Sequence, residues 1–96
     1  MGKYSHAEGE GNVIGVDARS SHAEGEDNTI TGYKAHVEGS ENTVSKEFAH
    51  AEGRLNTASG AAAHVEGYLS IATAQAAHAE GEGTTAKGTR AHAEGY

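Results

Sequence analysis

His6-Ala7-Glu8-Gly9 returns six more times in this chain: at His22, at His36 with Val37 in place of alanine, at His50, at His64 with Val65, at His78 and at His92. The first two copies start 16 residues apart and every later pair 14 apart. Seven copies in 96 residues leave no stretch for a separate domain. A fixed period of this length marks a repeat architecture, in which each unit stacks on its neighbours. The chain is therefore expected to be one repeat domain over residues 1–96. It reads as a piece of a longer fibre, because no polar cap follows the seventh copy. The two extra residues of the first copy are placed in the turn Asp17-Ala18-Arg19-Ser20, since an insertion within a strand would turn its side chains to the wrong face.

With His as position 1, position 2 is Ala23, Val37, Ala51, Val65 and Ala79, and position 9 is Ile30, Val44, Ala58, Ala72 and Ala86. These apolar columns lie seven apart, so each repeat divides into two half-turns. Position 14 is Ala35, Ala49, Ala63, Ala77 and Ala91. Positions 14, 1, 2 and 3 thus alternate small, His, small, Glu, the period of a strand, with Ala and Val facing in and His and Glu facing out. In the second half, Asn28-Thr29-Ile30-Thr31, Asn42-Thr43-Val44-Ser45 and Asn56-Thr57-Ala58-Ser59 set an inward apolar residue between outward hydroxyls. Gly holds position 4 in every copy and position 11 as Gly32, Gly60 and Gly88, where positive φ at the coil corners is the expected reason. The fold class is all-β: a parallel β-roll solenoid of 14-residue coils with two short strands per coil.

Composition narrows the choice further. Hydrophobic residues make up 35% and are mostly Ala, with one Phe, no Trp and no Pro, so a conventional core of large side chains is ruled out. A coiled coil fails for want of a Leu/Ile seam, and a Gly in every repeat would cost it about 1 kcal/mol each. Low hydrophobicity favours disorder, but the strict columns oppose it. An acyltransferase-type hexapeptide helix needs 18-residue coils. Of the fourteen acids, seven are the motif Glu, and the other seven balance the seven bases, so the whole formal charge of -7 sits in the motif. Without a basic patch, no nucleic-acid partner is expected. The chain has no Cys, which removes disulfides and thiolate metal sites. No apolar run approaches the roughly 20 residues of a membrane span, and no membrane partner is expected.

Ser21-His22-Ala23-Glu24-Gly25, and Ala49-His50-Ala51-Glu52-Gly53 with Asn56-Thr57-Ala58-Ser59-Gly60, resemble the 14-residue head repeats of YadA-type trimeric autotransporter adhesins. Those read roughly Ser-Val-Ala-Ile-Gly followed by a second half with a small residue and Gly; His and Glu stand here in the Val and Ile places. The His-Ala-Glu-Gly variant is also similar to repeats of phage and prophage tail or appendage proteins. The resemblance implies a left-handed roll assembled as a homotrimer, displayed on a virion or cell surface, with a structural or adhesive role and a host-surface receptor or glycan as possible partner.

The trimer has a physical argument of its own. An interior of Ala, Val and Ile buries too little apolar surface to offset an ordering cost of about 1.5 kcal/mol per residue unaided. The expected interface is the uniform face: His6, Glu8, His22, Glu24, His36, Glu38, His50, Glu52, His64, Glu66, His78, Glu80, His92 and Glu94. There a Glu column beside a neighbouring chain's His column becomes a charge-compensated network. Tyr33, Phe48, Leu55, Tyr68 and Leu69 are the expected lateral contacts. With His and Glu paired, the His pKa should rise and the Glu pKa fall, giving greatest stability in mildly acid solution.

No enzyme activity and no cofactor are expected. His-x-Glu lacks the Pro-Cys-x-x-Cys half of a zinc deaminase, His-Glu-x-x-His does not occur, and uniform repetition does not make a unique active site. Two alternatives use the same columns. His and Glu two apart on a strand face the same way and form a ladder able to bind a metal ion or an anion. The Thr29/Thr31, Thr43/Ser45 and Thr57/Ser59 array has the spacing of an ice-binding face, interrupted by Ile71 and Lys87.

Overall fold

Each copy of the motif opens one coil of a parallel β-solenoid in the computed structural model, which describes residues 3–95. The long strands are β1 (His6–Glu10), β3 (His22–Glu26), β5 (His36–Ser40), β7 (His50–Arg54), β9 (His64–Tyr68), β11 (His78–Glu82) and β13 (His92–Gly95). They form a seven-stranded parallel sheet in chain order. The two-residue strands β2 (Val13–Ile14), β4 (Thr29–Ile30), β6 (Thr43–Val44), β8 (Thr57–Ala58), β10 (Ile71–Ala72) and β12 (Thr85–Ala86) form a second, six-stranded one. Register is strict: His22 pairs with His36, Glu24 with Glu38 and Gly25 with Gly39, and so on up the stack. The result is a slab of 33 × 22 × 11 Å.

Alternation places the core where the columns put it. Ala23, Val37, Ala51, Val65 and Ala79 from the first sheet meet Ile30, Val44, Ala58, Ala72 and Ala86 from the second, all of them buried. Ala35, Ala49, Ala63 and Ala77 close one side. At the first coils Ser5 and Ser21 stand in that column, where the Ser21 hydroxyl donates to Gly32 O (3.0 Å) and accepts from Ala35 N (3.1 Å).

The other side of the core is polar. Position 7 points inward, and Asn28, Asn42, Asn56, Ser70 and Thr84 are buried. Each Asn amide spans two coils. Asn42 Nδ2 donates to Glu38 O of its own coil (3.0 Å) and to Gly53 O of the next (2.9 Å), while its Oδ1 accepts from Asn56 N (3.0 Å). Backbone carbonyls facing into a dry interior need such partners, and the ladder supplies them at every step from Asn12 to Asn56.

This arrangement corrects the expected role of glycine. The position 4 Gly lies within the long strand, with φ of 107° to 120°, and turns its carbonyl toward the Asn amide. A Cβ on Gly39 would collide with the carbonyl oxygen of Gly53 in the next coil. Gly32 and Gly60, at position 11, are not left-handed; they lie too close to the backbones of Lys46 and Ala74 for a side chain. The left-handed corners are positions 6 and 13, where Asp27, Glu41, Leu55, Leu69, Lys34, Phe48, Ala62 and Ala76 adopt φ of 53° to 60°. Strand amides donate to the following coil (His22 N to Ala35 O, 3.0 Å), whereas corner amides donate to the preceding one (Asp27 N to Glu10 O, 2.8 Å). That extra tie between coils accompanies the strain of αL at non-Gly residues.

The insertion is also displaced from its expected place. Gly15 N bonds Ile30 O as Thr31 N bonds Val44 O, and Ser20 occupies the same corner as Lys34. The two extra residues are therefore Val16 and Asp17, exposed in a turn closed by Ala18 N to Gly15 O (3.1 Å), with Ala18 returned to the core.

Candidate functional site

The flat outer face of the seven-stranded sheet carries two parallel columns set by period-two alternation. Imidazole lies over imidazole: ring centroids are 4.5–4.8 Å apart from His36 to His92 with planes within 5°, and the first two steps, at 5.0 Å, are tilted by 33° and 16°. The spacing is the distance between neighbouring strands, so strand pairing imposes the stack. Each His Nε2 faces Oε2 of the Glu two residues on, at separations from 3.4 Å in the first coil to 3.8 Å at His64 and Glu66. Glu80 spans two coils, with Oε2 3.6 Å from His78 Nε2 and Oε1 3.5 Å from His92 Nε2. Beyond the Glu column, the Glu and Gly residues line a long open trough running the length of the sheet.

These gaps exceed the 2.7–3.2 Å of a good N–H···O bond. Accordingly, Nε2 of His22, His36, His50, His64 and His78 is covered from solvent and has no hydrogen-bond partner. The side chains themselves remain about one-third exposed at His50 and Glu52.

Charge on the ladder departs from the expected pairing. Burial pushes the His50 imidazole below its ordinary value of 6.5, the charges of His64 and His36 lower it further, and Glu38 and Glu66 oppose them less strongly. Glu38 lies below 4.5, first through hydrogen bonding to the side chains of Glu52 and Glu24, then through His36 and His50, against burial. The expected rise in His pKa is thus reversed at His50, first because burial disfavours the charged ring and then because His64 and His36 place like charge on both sides of it. At His50, therefore, the ladder favours the neutral imidazole.

No protein-family model and no curated protein matches the chain. All fourteen ladder residues expected from the motif, His6 to Glu94, lie on this one face in two straight columns. The Thr and Ser array lies on the opposite sheet, interrupted at Val13 and Ile71 as well as Lys87. Among the expected lateral contacts, Tyr33, Phe48, Tyr68 and Leu69 are exposed at the corners and Leu55 is half-buried. Tyr33 meets Phe48 edge-on at 5.6 Å, and Lys34 sits over the Phe48 ring.

The Asn column is what the motif alone did not disclose. Its signal was present: position 7 is two residues before the inward position 9, so the same alternation turns it inward, and Asn fills it at residues 12, 28, 42 and 56.

Proposed function

We propose that this chain is a rigid structural segment of a homotrimeric fibre, left-handed in its coiling, displayed on a virion or cell surface and performing no chemistry. The observation that carries this reading is the uniform His/Glu face with its trough. Every rung presents the same groups at the same rise, and the occupant able to match all rungs at once is another copy with the same rise. The thin slab, cored mainly by Ala, gives a physical reason for assembly. Three such faces brought together would offer the covered, unpartnered Nε2 atoms partners on neighbouring chains. The corner residues Tyr33, Phe48, Tyr68 and Leu69 would then flank the contact or remain outward for a host receptor or glycan.

The test is a pair of variants in chelator. Replacing His50 with Val and Glu52 with Ile together, the residues of the adhesin-like pattern, should keep the trimer and raise its melting temperature. Replacing Glu52 by Ala alone should cost on the order of 1 to 3 kcal/mol per chain, by removing the carboxylate that a neighbouring chain's His would pair with in the trimer. If both variants match the parent in mass and melting temperature, the ladder faces solvent and the reading fails.

A further inference from the structure

The geometry points to the His/Glu ladder as a periodic binding site for late first-row divalent ions such as Zn2+, with each ion held by two successive His Nε2 atoms and the Glu between them. All three ligands come from one chain, so the inference does not depend on trimer formation. Six overlapping His-Glu-His sets run along the ladder, such as His36-Glu38-His50, each with its ligand atoms within 4.8 Å of one another.

The His–Glu separation is the first argument. Nε2 and Oε2 of one rung stand 3.4–3.8 Å apart, too far for a good hydrogen bond. Two ligand atoms about 2.0–2.1 Å from a tetrahedral ion are separated by about 3.3 Å. One rung therefore already has nearly the bite of a metal chelate, and a small rotation of the carboxylate completes it. The Nε2 of the next His, within 4.8 Å in the stack, must close by up to about 1.5 Å, which takes rotation of the imidazole about its Cα–Cβ bond as well as its Cβ–Cγ bond. Glu80, between His78 and His92, shows the carboxylate already reaching both rings.

Ligand chemistry gives the second argument. Five central Nε2 atoms point at carboxylates, are covered from water and have no hydrogen bond, so each offers its lone pair at little desolvation cost. Imidazole and carboxylate without thiolate suit Zn2+, Ni2+ and Cu2+, and three protein ligands leave the fourth position to water. The seven motif Glu, which carry the chain's net charge, supply the compensating negative charge.

Periodicity makes the stoichiometry specific. A His tilted toward one neighbour is tilted away from the other, so an occupied pair excludes the pairs overlapping it. Seven rungs then hold about three ions, with one rung unused. Removing the fourth rung leaves two runs of three, each holding one ion. Removing the third leaves runs of two and four, which still hold three ions between them. Two chemically identical substitutions in adjacent central coils thus have different consequences.

The experiment is a Zn2+ titration of the chelator-stripped chain, with bound metal counted by elemental analysis after gel filtration. Co2+ absorption reports the ligand geometry, and circular dichroism confirms that each variant is folded. The parent should bind about three ions per chain with the intense visible bands of tetrahedral Co2+. His50→Gln should bind about two and His36→Gln about three. Equal loss in the two variants, seven weak sites, or no binding above that of a variant with all seven ladder His replaced by Gln would overturn the inference. Should that last variant fail to fold, the contrast between His36→Gln and His50→Gln still decides it.

Discussion

Asn42→Ala removes a side chain from the middle of the buried ladder, and its cost can be worked from the bonds it makes. The amide nitrogen serves Glu38 O and Gly53 O, and Oδ1 serves Asn56 N. Alanine orphans those three backbone groups inside a region where Asn42 is fully buried. At about 1–3 kcal/mol for each unsatisfied group, reduced by local relaxation, the loss should be about 3–5 kcal/mol. Serine offers an internal comparison. Ser70 occupies the same column and donates to Gly81 O (3.1 Å) while accepting from Thr84 N (3.3 Å), so a hydroxyl restores two of the three bonds. Asn42→Ser should therefore cost about 1–3 kcal/mol. Urea unfolding followed by circular dichroism, at one fixed protein concentration because assembly shifts apparent stability, measures both. An alanine variant within about 0.5 kcal/mol of the parent, or a serine variant no better than alanine, would refute the account of the core.

Two further outcomes follow from the strands and the ladder. Gly39→Ala should cost more than about 3 kcal/mol, or prevent folding, because φ of 114° and the Gly53 carbonyl both reject a Cβ, whereas Gly83→Ala, at an open corner with φ of 66°, should cost about 1 kcal/mol; chemical denaturation of the two variants checks the contrast. For pH, both shifted groups act in the same direction. His50 has a lowered folded pKa, so its contribution is complete above about 6.5 and fades as pH falls through the folded value; Glu38, also lowered, contributes fully above about 4.5 and fades likewise on acidification. Melts from pH 4 to pH 9 in chelator should show stability highest from neutral pH upward, and a maximum in mildly acid solution would contradict the lowered values at His50 and Glu38.

Alternation in the sequence accounts for most of the fold. Once His22, Ala23 and Glu24 are placed on a strand and repeated every 14 residues, the two sheets, the Ala/Val/Ile interior and the straight His and Glu columns follow, because parallel register stacks equal positions. The corners did not follow. Position 6 is Asp27, Glu41, Leu55 or Leu69 and position 13 is Lys34, Phe48, Ala62 or Ala76. Nothing in those side chains signals left-handed backbone, which is imposed by amides that bond the preceding coil. Glycine misled for the same reason: Gly25 and Gly39 serve a close approach between strands rather than a bend. The insertion was placed one residue late, since only pairing distinguishes Val16-Asp17 from the residues after it. On the ladder, the number of His and Glu suggested ion pairs, but whether an imidazole is charged depends on the stack. At His50, desolvation of the ring and the like charges of His64 and His36 outweigh what Glu38 and Glu66 return.

The mass of the folded chain in solution tests the proposed assembly most directly. Sedimentation equilibrium in chelator near neutral pH should give three times the 9.8 kDa of one chain, about 29 kDa, with dissociation coupled to unfolding. A species of 9.8 kDa that keeps its β-signal and melts cooperatively at the same temperature over a wide range of concentration would contradict it.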